Sequence, residues 1–118
     1  MTIIDASCGT CIEEFDKWKD FMKSTDTTLV GYVFLLYSND DLMTFESTNA
    51  NYLQFTYPYF NDKKNEVITK NGFNLEQKNN NTFLLNKKNE IILVGNPIYS
   101  NSVSKLYLKE ISKISNAD

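Results

Sequence analysis

Two cysteines, Cys8 and Cys11, are the side chains of this sequence best suited to chemistry, and they stand three positions apart. They follow a short apolar run, Ile3-Ile4, and open a segment with helical periodicity, so we expect both sulfurs at a strand-to-helix junction. The backbone N–H groups of a helix N-terminus stabilise a thiolate and lower the pKa of the first cysteine. Because two residues separate the cysteines, the pair can close a small disulfide ring and reopen it. The pattern therefore predicts a dithiol that cycles.

A close cysteine pair has three other interpretations: half of a zinc site, a static disulfide, and two buried apolar residues. Zinc needs four ligands, and the sequence has no His and no third Cys, so we expect no metal site within the chain. Buried cysteines are common singly but less so as a pair at this spacing on a helix start. The interpretation we favour is a pair that is, or once was, redox-active.

The composition predicts one globular domain over residues 1–118. Hydrophobic residues make up 42% of the chain, the formal net charge is −3, and all 12 basic residues are Lys. Because the chain has no basic stripe that would neutralise phosphates, nucleic acid is not an expected partner. No apolar run approaches the length of a membrane span, and the first residues lack a signal-peptide pattern. We therefore expect a cytoplasmic protein or one whose leader has been removed.

Hydrophobic periodicity predicts a β-α-β unit in the first third of the chain. Residues 2–6 read as a central strand, residues 9–23 as an amphipathic helix, and residues 29–37 as a strand covered on both faces, hence parallel to its neighbour. On the helix, the charged residues are assigned by type to the solvent side, Glu14 among them. Such a unit is expected to be a right-handed crossover.

The rest of the chain is predicted to form short elements followed by a hairpin and a closing helix. In order these are a helix over 42–49, an edge strand over 52–57, a helix over 62–70, a polar loop over 76–81, a hairpin over 82–85 and 91–94, and a helix over 103–114.

This order of elements resembles the thioredoxin fold, and in particular its TlpA-like branch of thiol-disulfide oxidoreductases. The matching stretches are Cys8-Gly9-Thr10-Cys11 with Glu14, Phe60-Asn61-Asp62 through Asn71-Gly72-Phe73, Thr82-Phe83-Leu84-Leu85-Asn86, and Ile91-Ile92-Leu93-Val94-Gly95. The resemblance implies an α/β, three-layer, thioredoxin-like fold with a mixed four- to five-stranded central sheet and helices on both faces. In that sheet the strands would follow the order 29–37, 2–6, 82–85 and 91–94.

The resemblance also implies the site and its chemistry. Cys8 would be the exposed attacking thiol and Cys11 the buried resolving thiol, while Glu14 would relay a proton; the alternative for Glu14 is a solvated helix carboxylate. Substrate would be bound around Gly9, Thr10, Asn80 and Asn81. No cofactor is implied beyond the redox-active Cys8–Cys11 disulfide. The implied partners are protein thiols and disulfides and a further redox partner, and the family favours a periplasmic or otherwise extracytoplasmic location, with the cytoplasm as the alternative.

Three positions depart from the family pattern. Asn80 stands where the family has a cis-proline, and a cis bond before a residue other than proline costs about 3 kcal/mol. Ser7 replaces an aromatic residue, and Asp16 replaces a helix proline. These departures motivate a second hypothesis, a thioredoxin-fold binding or scaffold module with weak catalysis. Peroxide reduction is a third and weaker hypothesis, because the sequence has no Arg to place beside the thiolate.

Overall fold

The fold is α/β and is taken from a computed structural model, which describes residues 1–72 and 81–116. A strand that carries the cysteine loop at its end is followed by the longest helix of the first half of the chain. The elements in order are β1 (Thr2–Asp5), α1 (Gly9–Lys23), β2 (Phe34–Tyr37), α2 (Met43–Thr48), a π-helical turn (Asn49–Leu53), β3 (Phe60–Asn61), α3 (Glu66–Asn71), β4 (Phe83–Leu85), β5 (Ile91–Val94) and α4 (Asn101–Asn116). No helix within the described ranges is long and apolar enough to cross a membrane.

A three-stranded parallel sheet underlies the cysteine loop. Its order is β1-β2-β3, and Ile3 of β1 is opposite Leu35 of β2 while Ile4 is opposite Leu36. Both pairings, β1 with β2 and β2 with β3, are parallel. The predicted parallel β1-α1-β2 unit is therefore confirmed, with the second strand shorter than the sequence suggested.

The hairpin of β4 and β5 forms a separate two-stranded antiparallel sheet, so the predicted single sheet of four to five strands is not formed. The two sheets meet at one isolated antiparallel bridge between Thr2 and Thr82. Around it, the Phe83 N–H donates to the Met1 carbonyl at 2.9 Å, and the Ile3 N–H donates to the Asn81 carbonyl at 2.9 Å. The segment around Thr82 pairs only with residues 1–3, which is too short a contact for a continuous ladder.

Side chains from β1 point into two different apolar clusters, because successive residues of a strand face opposite sides. Ile4 belongs to the larger cluster, which includes Phe15 of α1 and Tyr107 of α4. Ile3 belongs to a smaller cluster with Phe83, and Val67 of α3 packs against it. Helices thus contribute to the packing on both sides of the parallel sheet.

Phe15 anchors α1 to the sheet and so fixes the helix that carries the cysteines. It is fully buried, and its ring centroid lies 4.7 Å from that of Phe55, 5.1 Å from that of Phe45 and 5.9 Å from that of Phe34. Aromatic pairs in this range add stabilisation beyond the burial of their area. The packing of Phe15, one turn beyond Cys11, therefore holds the N-terminus of α1 in place.

The predicted edge strand over 52–57 is wrong, because the chain there forms the π-helical turn and an irregular segment. The Asn49 side chain accepts a hydrogen bond from the Phe55 N–H at 2.7 Å and donates to the Phe55 carbonyl at 3.0 Å. Both backbone groups that Phe55 would offer a neighbouring strand are thereby taken. The edge strand is instead β3, which begins after Pro58.

Candidate functional site

The two cysteines lie where the sequence predicted, at the junction of β1 and α1: Cys8 precedes the helix and Cys11 is its third residue. Cys8 is the N-cap of α1 with φ −97° and ψ 118°, and its sulfur accepts a hydrogen bond from the Cys11 backbone N–H at 3.3 Å. A sulfur in this position occupies the place of the oxygen that usually caps a helix. Both cysteines are half-buried free thiols. The helix start therefore orients the first sulfur toward backbone N–H groups and brings the second within its reach.

Hydrogen bonds lower the pKa of Cys8 below its ordinary value. The largest cause is the hydrogen bond from the Cys11 thiol, followed by the Thr10 hydroxyl, whose Oγ1 lies 3.2 Å from the Cys8 sulfur. The backbone N–H of Cys11 acts in the same direction, whereas partial burial and the charge of Asp5 oppose it. The thiolate of Cys8 is thus stabilised by donors that surround it on the first turn of α1.

Burial raises the pKa of Cys11 to about 12, and the hydrogen bond to Cys8 adds to the effect. The negative charges of Cys8, Glu14 and Asp5 act in the same direction. A thiol with this pKa holds its proton at neutral pH, so it becomes a nucleophile only if a neighbouring group accepts that proton. The two sulfurs are therefore chemically distinct, one suited to attack and the other dependent on a base.

Glu14 lies on the buried side of α1, and its assignment to the solvent side is wrong. Only 6% of its surface is exposed, and its carboxylate accepts a hydrogen bond from the Tyr99 hydroxyl. The signal was present in the spacing, since Glu14 follows Cys11 by three residues and precedes Trp18 by four, which places all three on one face. The spacing, and not the residue type, indicated the correct side.

Two tyrosines complete the surroundings of the thiols, and neither was singled out from the sequence. Tyr37 ends β2, and burial together with the charge of Asp5 and the cysteines raises its pKa to about 12. Burial and the hydrogen bond to Glu14 likewise raise the pKa of Tyr99. Tyr37 was within reach of sequence reasoning, because the carboxyl ends of parallel strands share one edge. Tyr99 was not, because it is 85 residues from its partner Glu14.

Ser7 ties the cysteine loop to the segment that follows β2. Its N–H donates to Asp5 at 2.9 Å, its hydroxyl donates to the Asn39 side chain at 3.0 Å, and the Asn39 N–H donates back to the Ser7 hydroxyl at 2.9 Å. Ser7 is therefore a polar group that fixes the loop from two sides.

The four residues predicted to bind substrate are not all brought together. Gly9 and Thr10 are exposed on the first turn of α1, beside Cys8. Asn81 lies against β1, where its side-chain amide donates to the Ile3 carbonyl at 3.0 Å and its Oδ1 accepts from Thr82. Asn80 lies outside the described residues. The geometry thus associates Gly9 and Thr10 with the reactive thiol and gives Asn81 a role in joining the two sheets.

The part of the chain that the structure describes contains no group of three Cys, Asp or Glu side chains arranged to hold a metal ion. In comparisons with protein-family models, curated proteins and solved structures, nothing matches this chain. The argument for function therefore rests on the chemistry of the site itself.

Proposed function

We propose that this chain carries out thiol-disulfide exchange on protein substrates through Cys8 and Cys11. The observation that carries the proposal is the difference between the two thiols. Cys8, at the N-cap, has a lowered pKa and a half-exposed sulfur, whereas Cys11 has a pKa raised to about 12 by burial. A static disulfide or two packing cysteines would have no need of this asymmetry, and an exchange site requires it.

In the proposed reaction the Cys8 thiolate attacks one sulfur of a substrate disulfide. A mixed disulfide forms and the other substrate sulfur leaves as a thiolate. Cys11 then loses its proton, attacks the Cys8 sulfur and expels the remaining substrate sulfur, so the substrate gains two electrons and the pair becomes a disulfide. A dithiol redox partner returns the two electrons.

Glu14 is the proposed acceptor of the Cys11 proton. It lies one turn beyond Cys11 on the buried side of α1, and its negative charge acts on the Cys11 thiol. The resolving step needs the thiolate of Cys11 at neutral pH, and the pKa of Cys11 is too high for the thiol to lose its proton unaided. A base at this place can accept that proton. We assign Gly9 and Thr10, which are exposed beside Cys8, to contact with the substrate.

The arrangement of strands supports assignment of the chain to a thioredoxin-like fold. β1 has β2 as a parallel neighbour on one side and the antiparallel chain at Thr82 on the other, and β5 follows beyond β4. These contacts support the strand order 29–37, 2–6, 82–85 and 91–94 that the resemblance implied, with β3 added beyond β2. The contribution of α1 and α3 to opposite sides of the sheet is also what a three-layer arrangement requires.

The reduction potential of the pair tests the proposal directly. The protein is equilibrated against glutathione or dithiothreitol buffers and its free thiols are trapped. A reversible two-electron midpoint between about −120 and −270 mV is expected, the range of known exchange proteins. If no disulfide forms, or if it forms and resists reduction in the folded protein, exchange is refuted and a thioredoxin-fold binding module becomes the better account.

A second experiment tests the separate roles of the two cysteines. We expect Cys11→Ser to accumulate a mixed disulfide with a disulfide-containing substrate such as insulin, because nothing then releases Cys8, and Cys8→Ser to form none. Non-reducing electrophoresis and mass spectrometry measure the adduct. Equal adduct formation by the two variants would contradict the assignment of attacking and resolving thiols.

A further inference from the structure

A buried carboxylate and a tyrosine hydroxyl are joined next to the cysteine pair. The Tyr99 hydroxyl donates a hydrogen bond to Glu14, and the charges of Cys11 and Cys8 act on Tyr99 as well. Four groups thus form one cluster: two thiols, a carboxylate and a phenol. A hydrogen bond to a carboxylate is charge-assisted and stronger than one to a neutral group, so the phenol fixes the position of the carboxylate.

The position of Tyr99 is set by a turn anchored in the core. Asn96 is fully buried, its Oδ1 accepts from the Ile98 N–H at 3.1 Å, and its carbonyl accepts from the Tyr99 N–H at 3.3 Å. The carbonyl before this turn, on Gly95, accepts from the buried Tyr107 hydroxyl at 2.7 Å. The turn that presents the phenol is thus closed by two hydrogen bonds to Asn96 and anchored to α4 through Gly95.

The side chain of Lys17, on α1, lies over the face of the Tyr99 ring. Its Nζ lies 5.1 Å from the centroid of the Tyr99 ring, within the distance of a cation–π contact. The ring therefore lies between the turn and α1, with its hydroxyl directed at Glu14. A side chain constrained in this way is suited to orient the group that it contacts.

We propose that Tyr99 is a positioning residue of the exchange reaction: its hydroxyl holds the Glu14 carboxylate in the orientation that accepts the Cys11 proton. This inference rests on the proposed function. In the resolving step the proton moves from Cys11 Sγ to the Glu14 carboxylate, and the Cys11 sulfur bonds to the Cys8 sulfur. The bond between Cys8 and the substrate sulfur breaks, and that sulfur leaves with the electron pair as a thiolate. Tyr99 keeps its own proton throughout.

Other charged or titratable groups also surround the cluster. Asp5 precedes the cysteine loop and its charge acts on Cys11, Tyr37 ends β2 beside the thiols, and Lys17 lies over Tyr99. They are unchanged when the Tyr99 hydroxyl alone is removed. A slower second release in Tyr99→Phe can therefore be assigned to the lost hydrogen bond with Glu14.

The test separates the attack by Cys8 from the resolution by Cys11. DTNB, an aromatic disulfide, releases one coloured thiolate when Cys8 attacks and a second when Cys11 resolves. The rate of each release is measured across pH for the wild type, Tyr99→Phe and Tyr52→Phe. Tyr52 is a matched control because it loses the same hydroxyl from a side chain that is 84% exposed.

We expect Tyr99→Phe to release the first thiolate normally and the second about tenfold more slowly at neutral pH, the effect of losing one hydrogen bond to a charged group. Tyr52→Phe should match the wild type. A wild type that releases only one thiolate overturns the proposed function and the inference with it. If the wild type releases both and Tyr99→Phe releases the second at the wild-type rate, the role of Tyr99 alone is overturned.

A double variant makes the test independent of any general effect on folding. In Glu14→Gln, the second release should already be slow, and adding Tyr99→Phe should slow it no further, because the hydroxyl acts through the carboxylate. If the two substitutions multiply their effects, Tyr99 acts by another route and the inference is refuted.

Discussion

Removing the Thr10 hydroxyl is expected to raise the pKa of Cys8 and so to slow its alkylation at neutral pH about threefold. Thr10→Val keeps the shape of the side chain and deletes the donor that lies 3.2 Å from the Cys8 sulfur. A hydrogen bond to a charged group is worth about 1.5 kcal/mol, and solvent at this exposed position reduces that by about half. The resulting 0.7 kcal/mol, roughly, corresponds to about a threefold change in thiolate fraction. Thr10 is exposed, so the core is not disturbed.

The measurement is the rate of iodoacetamide alkylation of Cys8 as a function of pH, with the modified residue located by mass spectrometry. Because the thiolate is the reactive form, the variant should react about threefold more slowly at pH 7 and at the same rate above both midpoints. Thr56→Val, a change at another exposed threonine, is the control. Superimposed curves for Thr10→Val and the wild type would show that this hydroxyl does not stabilise the thiolate. We expect the wild-type midpoint to lie nearer to that of a reducing thioredoxin than to that of a strong oxidant, and a midpoint below about 5 would contradict this.

Two further predictions concern stability, each measured as the free energy of unfolding in urea. Thr2→Val should lower it by about 1 kcal/mol, because the hydroxyl of Thr2 lies 2.8 Å from that of Thr82 in the buried junction of the two sheets. Thr27→Val, at an exposed position, is the control. Equal free energies of unfolding for the two variants would mean that the contact between Thr2 and Thr82 contributes nothing. Gly95→Ala should lower it by about 2 kcal/mol, since Gly95 has φ +139° and a Cβ there would lie 3.2 Å from Val103 Cγ1. Gly31→Ala should leave the free energy of unfolding nearly unchanged, because the space around Gly31 is open. A similar loss of stability in both glycine variants would refute the argument from backbone conformation.

The elements that carry the cysteines were predictable because the forces that form them are local. Apolar residues that recur at intervals of three and four positions predicted a helix over 9–23, and in the structure α1 spans Gly9–Lys23. The bounds of α2 and of the hairpin strands were close for the same reason. The edge strand failed because the Asn49 side chain, six residues away, takes the backbone groups of Phe55. A side chain that competes with a strand ladder in this way leaves no periodic signal.

The division into two sheets was beyond the reach of periodicity. The stretches around Thr2 and Thr82 each have the pattern of a strand, but how many residues of one pair with the other depends on where the hairpin turns away. Packing between distant segments decides which of their residues pair with each other. Each face of β1 packs against a different apolar cluster, and this packing sets its register.

The sequence by itself determined that two thiols stand at the start of a helix, and hence that the first of them has a stabilised thiolate. Those properties need only the spacing of Cys8 and Cys11 and the backbone N–H groups that follow. The tertiary structure decided how deeply Cys11 and Glu14 are buried, and that a phenol from the turn before α4 contacts the carboxylate. Burial and long-range hydrogen bonds arise only when distant segments pack together, and these contacts give the second thiol its high pKa and Glu14 its phenol partner.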